Sequence, residues 1–186
     1  MVDLDCGADR GDRVGPRRAC VARGLTLVEL MTTLAVLVIS LALAAPALTS
    51  FLRNNRLQAA QSELVSSLML ARSEAGRQGT GVGVGALEAL ADGGFARGWR
   101  VWVDTNANGR FDSGETIVRE VAARGAPLTI VPVPGVREVV FAPSGFLVAA
   151  NAVTFSLCGE PGAPKGYRVL LEPVGLSDVS EVTTCP

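Results

Sequence analysis

From Leu25 to Ala45 the chain is almost wholly apolar, broken only by Thr26, Glu29, Thr32, Thr33 and Ser40. A helix of that length rises about 30 Å, the thickness of a bilayer's hydrocarbon layer. Residues 25–45 are therefore predicted to cross a membrane. Arg17, Arg18 and Arg23 precede this run, and little positive charge follows until Arg53. The positive-inside rule then places the N-terminus in the cytoplasm and everything after Ala45 outside. Pro46 is predicted to kink the helix rather than end it. From Arg53 to Arg77, Leu57, Ala60, Leu64, Leu68, Ala71 and Ala75 recur at steps of three and four, one stripe of an amphipathic helix. Gly76, Gly79, Gly81 and Gly83 are read as its end.

Beyond residue 78 the pattern changes to short β-forming runs separated by Gly, Pro and Asn. The strand-like runs are Trp99–Val103, Thr116–Val121, Leu128–Val131, Val139–Ala142, Val153–Leu157 and Tyr167–Leu171. Asn108-Gly109, Pro134-Gly135, Pro143-Ser144-Gly145 and Pro161-Gly162 mark turns between them. The fold class predicted is α+β: one long N-terminal helix packed on a C-terminal antiparallel β-rich head. The division is 1–24, 25–78 and 79–186. Trp99 and Trp102 fall on opposite faces of one strand, where core or rim packing accounts for both and a subunit contact for one is the alternative.

Composition narrows the function. Among 186 residues, 48% are hydrophobic and 19% charged, so a disordered chain is not expected. With 17 Lys+Arg against 18 Asp+Glu, no bulk positive field exists to draw nucleic acid. There is no histidine, and Lys165 is the single lysine. The commonest general base, nucleophile partner and zinc ligand are thus missing, and an enzyme is not expected. The cysteines fall as Cys6 and Cys20 before the apolar run and Cys158 and Cys185 near the end. If the head is exported, Cys158 and Cys185 can be oxidised to close a terminal loop; the alternative is two buried thiols.

The junction Arg23-Gly24-Leu25-Thr26-Leu27-Val28-Glu29 carries the chemistry. A carboxylate this deep in a membrane helix costs roughly 2.5–3.5 kcal/mol on insertion scales. Cleavage after Gly24 would create an α-amine on Leu25, one turn from Glu29, that could neutralise it in the same or an adjacent subunit. An ordinary secretory signal is the rival: the same arginines as n-region, Leu34–Leu43 as apolar core and Ala42-Leu43-Ala44 as cleavage site. That rival would release a secreted calcium- or ligand-binding β domain.

Gly24-Leu25-Thr26-Leu27-Val28-Glu29 closely resembles the prepilin peptidase site of the type IV pilin family, with Leu25 where Phe is more usual. Within that family the chain is most similar to the GspH/FimT minor pseudopilins and minor pilins. The similarity rests on Leu70–Ala75, on Gly98-Trp99-Arg100-Val101-Trp102-Val103-Asp104 with its following turn, and on Val139–Gly145, Phe155–Cys158 and Cys185. The resemblance implies cleavage between Gly24 and Leu25, methylation of the new amine, Glu29 as the docking residue and Pro46 as the helix kink. It further implies an inner-membrane subunit with a periplasmic head. Such a subunit joins other major and minor pilins in a type II secretion pseudopilus or type IV pilus, near the tip, through a prepilin peptidase and an assembly platform.

Two features of the head bear on ligands. Asp104-Thr-Asn106-Ala-Asn108-Gly-Arg110-Phe-Asp112-Ser-Gly-Glu115 fits a calcium-loop pattern, with the Arg110 carbonyl among the oxygens. The flanks read as strands, so the competing reading is a solvated hairpin in which Asn and Gly supply positive φ. No cofactor is required and calcium is the one candidate. Gly175-Leu176-Ser177-Asp178 stands where DNA-uptake relatives carry a G-R-x-R motif, so DNA binding is not expected.

Overall fold

In the computed structural model one α-helix, α1, runs from Leu27 to Gln78. The structure describes residues 26–88, 94–124, 127–159 and 163–185. The leader, Cys6, Cys20, and the expected cut between Gly24 and Leu25 therefore lie outside the described residues. The chain divides into two compact units, 1–44 and 45–186.

The described part of the first unit is the start of α1. Thr26 caps it: its Oγ1 accepts a hydrogen bond from the Glu29 backbone N–H at 3.2 Å, as an N-cap residue does for the third helical position. The side chains that follow face outward uncovered, from Leu27 at 74% exposure through Ile39 at 61% to Leu43 at 75%.

The second unit holds the rest of α1 and the head. Here the helix runs through Pro46 and on to Gln78, where Gly79, at φ +69°, takes the left-handed conformation that ends it. The six residues of the predicted stripe, Leu57, Ala60, Leu64, Leu68, Ala71 and Ala75, are all buried. They pack into one core with residues of both sheets, including Val84, Trp99, Phe141, Phe155 and Val169. Small alanines at three of these positions let the strands approach the helix closely.

Among the described residues, eight strands form the head. They are β1 (Gly81–Ala86), β2 (Gly98–Asp104), β3 (Ile117–Ala122), β4 (Thr129–Val133), β5 (Glu138–Phe141), β6 (Val153–Cys158), β7 (Gly166–Leu171) and β8 (Ser177–Val182). One antiparallel sheet has the order β3-β2-β1-β5 and the other β4-β6-β7-β8. A 3-10 turn, Phe95–Arg97, seats Phe95 edge-on against Phe155 at 5.1 Å and so ties the sheets together.

Two strands were not expected. Of the glycines read as the helix end, Gly81 and Gly83 belong to β1, whose sequence Gly-Val-Gly-Val-Gly-Ala alternates as a strand must. Val82 and Val84 enter the core, while a Cβ on Gly83 would lie 2.3 Å from the Trp102 ring. Glycine is needed there because the buried indole lies across the strand. The other is β8, Ser-Asp-Val-Ser-Glu-Val, an edge strand whose middle four residues are exposed. It carries no apolar alternation strong enough to announce it.

Candidate functional site

The first candidate is the start of α1. Hydroxyls in the apolar run are satisfied within the helix. Thr32 Oγ1 donates to the Glu29 carbonyl at 3.0 Å, Thr33 Oγ1 to the Leu30 carbonyl at 2.9 Å and Ser40 Oγ to the Val36 carbonyl at 2.8 Å. Such back-bonding is what lipid demands of a polar group. Glu29 has the third helical position, where its charge faces the positive end of the helix dipole. Thr26-x-x-Glu29 has capping-box spacing, a role for Glu29 that periodicity had not suggested. Its own carboxylate has no hydrogen-bonding or ionic partner among the described residues and stays exposed.

The second candidate is the loop from Asp104 to Glu115. Asp104 is 2% exposed and accepts from the backbone N–H of Asn108 at 3.2 Å and of Gly109 at 2.9 Å. The Asn106 side-chain oxygen takes the N–H of Asn108, and that of Asn108 takes the N–H of Arg110. Glu115 accepts from the N–H groups of Thr105 and Asp112, at 2.9 and 3.0 Å. The carboxamides of Asn106 and Asn108 both donate to Asp112 Oδ2, at 2.8 and 2.6 Å, and these bonds hold the Asp112 carboxyl below the usual range. The loop thus brings together the expected residues, but as a hairpin with oxygens occupied by its own N–H groups. No group of three or more acidic, Cys or His side chains gathers as a metal-holding cluster among the described residues. Both carboxamides donate to the same Asp112 oxygen, and no hydrogen bond to the other, Oδ1, is made among the described residues. Positive φ falls on Gly109, as expected, and on Ala107 rather than on an asparagine. Phe111 folds back edge-on to Trp102 at 5.9 Å, with the Arg100 guanidinium 4.2 Å above its ring. Both tryptophans are buried, Trp99 at 1% and Trp102 at 0% exposure.

The third feature is the end of the head, where Cys158 and Cys185 are joined by a disulfide. The bond links β6 to the segment after β8 and anchors the edge strand from beyond its end.

The head's identity follows from comparison with known proteins. Residues 60–175 match the family model described as type II transport protein GspH. The chain belongs to the GspH family. It is also similar to the pilin-like protein PilA1 of Thermus thermophilus, 44% identical over 96 residues, which are 50% of this chain and 55% of that protein. The match thus spans about half the length of that curated relative. Two crystal structures of the type IV minor pilin FimU of Pseudomonas aeruginosa share the fold. One aligns with 70% of this chain and 100% of FimU at a TM-score of 0.57 and 24% identity; the other with 73% and 99% at 0.59 and 26%.

Within this GspH-family head, sequence reasoning missed the polar links that clamp α1 to the strands. Ser67, fully buried, donates to the Glu63 carbonyl at 2.8 Å and accepts from the Trp99 indole N–H at 2.9 Å. Glu63 binds Arg119 of β3 at 3.0 Å and also Arg124 just after it. Ser67 lies three residues from both Leu64 and Leu70, and its polarity in a helix otherwise read for apolar spacing was the available signal.

Proposed function

We propose that this chain is a minor pilin or pseudopilin, a non-enzymatic filament subunit. It is inserted in the bacterial inner membrane with its head in the periplasm and cut after Gly24 by a prepilin peptidase. It then joins other pilins through its N-terminal helix, near the filament tip, with the help of an assembly platform. One observation carries the reading. A GspH-family head is joined to a helix whose apolar side chains are uncovered and whose hydroxyls are internally satisfied, leaving Glu29 as the charge still to be neutralised. The amine created on Leu25 by cleavage, in this subunit or the next, supplies the counter-charge. In the low-dielectric setting of stacked helices, an unmatched Glu29 disfavours every other register. Machinery for type II secretion and for type IV pili use the same chemistry at this step.

The test is the N-terminal mass of the mature protein from membranes. A chain beginning at a methylated Leu25 supports the proposal. A soluble product beginning near Ala45 identifies an ordinary secretory signal and contradicts it.

A further inference from the structure

Near the point where the apolar part of α1 ends, the head forms a cleft of about 490 Å³ that the filament reading does not use. Arg53, Arg56 and Leu57 line it from the helix, with Arg124, Pro127 and Leu128 from the segment between β3 and β4 opposite. Its charged lining, among the described residues, is entirely positive. Arg124 is fixed by Glu63, and its Nε is buried with no hydrogen-bond partner. The stem of Arg53 lies against Gly159, where an added Cβ would sit 3.5 Å from its Cγ and Cδ. Arg56 is exposed and makes no ion pair among the described residues.

What lies outside this cleft is indicated by the helix itself. Leu48, Phe51 and Leu52, immediately before Arg53, are 57%, 59% and 46% exposed. The uncovered apolar stretch thus runs beyond Ala45 to Leu52, a length a tilted helix accommodates, and its end at the arginines marks the passage from hydrocarbon to headgroups. At that depth the abundant anion is a lipid phosphate, and a guanidinium matches its oxygens through paired N–H donors. The apolar walls, Leu57, Pro127 and Leu128, suit the glycerol and upper acyl carbons beside it.

We propose that this cleft binds the headgroup phosphate of an anionic phospholipid through Arg53, Arg56 and Arg124, seating the head on the membrane before assembly. The proposal rests on the membrane-anchored reading above. The site would hold the subunit in a fixed orientation while it waits to be drawn into a filament.

The test places the full chain in nanodiscs of mixed phosphatidylcholine and phosphatidylglycerol, and weighs the lipids it retains by native mass spectrometry. Phosphatidylglycerol is expected to be retained in preference. Arg56→Gln should lower that preference roughly tenfold, the scale of one charge-assisted contact. Arg77→Gln, whose guanidinium is held by Glu74 away from the cleft, should leave it unchanged. Equal retention of the two lipids by the wild type overturns the proposal, as does a preference that survives Arg56→Gln. So does binding of an acidic peptide in lipid-free micelles without any lipid preference, which would assign the arginines to a neighbouring subunit. A chain that fails to enter nanodiscs at all contradicts the membrane reading itself, and is distinguishable from failure of the cleft alone.

Discussion

Gly83 shows how a residue without a side chain positions the largest one in the head. The Trp102 indole occupies the space a Cβ would take, and Trp102 is fully buried, so neither strand nor ring can yield without disturbing the other. Gly83→Ala is expected to destabilise the folded head by about 1–3 kcal/mol, the usual range for overpacking. Thermal melting of the full chain in detergent checks this, with Gly135→Ala as the control because no atom lies within 4 Å of the added methyl. The sequence displayed Gly81, Gly83 and Gly85 openly, yet helix termination and a glycine-faced strand use the same residue type. Only the partner, Trp102, distinguishes them, and it lies across the sheet. Glu29 was legible for a different reason, since a charge in an apolar run needs no tertiary information to be recognised as costly. Its neighbour Thr26 was read as an interruption, whereas it caps the helix.

At the scale of elements, the helix stripe was legible in full because a 3.6-residue period is set by local geometry. All six expected strands appear near their predicted places, and β8 does not announce itself because an edge strand facing solvent has no apolar alternation to show. The loop joining β2 to β3 was legible as a turn rich in oxygen ligands, but which oxygens it spends on its own backbone was not. Asp104 and Glu115 each accept from two N–H groups or more polar partners of the loop, and Asp112 accepts from two carboxamides. A hairpin held in this way is expected to fold without an ion. Melting temperatures in chelator and in millimolar calcium are accordingly expected to coincide. A calcium-dependent rise, with heat on calorimetric titration at millimolar ion, would show that the loop binds calcium in the weaker, extracellular range. The disulfide acts on the neighbouring element: closing the 27-residue separation between Cys158 and Cys185 is worth about 3.5 kcal/mol on chain-entropy grounds. An edge strand with few buried side chains gains most from such a tie.

The molecule has an apolar helix start whose side chains are uncovered and a head whose core is completed by the later part of the same helix. The family of the head is shown by residues 60–175, whereas the apolar, uncovered part of the helix lies before them. Assembly through Glu29 is thus the claim on which the function turns, and the capping geometry at Thr26 supplies a specific rival for that residue. Charge and capping are separable, because Gln fills the third position of a capping box as Glu does but carries no charge. The measurement is recovery of the chain in sheared filaments from cells carrying Glu29→Gln or Glu29→Ala, with membrane levels of each variant measured alongside. If Glu29 pairs with the N-terminal amine of a subunit, both variants reach the membrane and both fall at least about tenfold in filaments, in line with losing roughly 1.4 kcal/mol or more of register energy. Normal incorporation of Glu29→Gln would contradict the account and leave Glu29 a residue that only caps its helix.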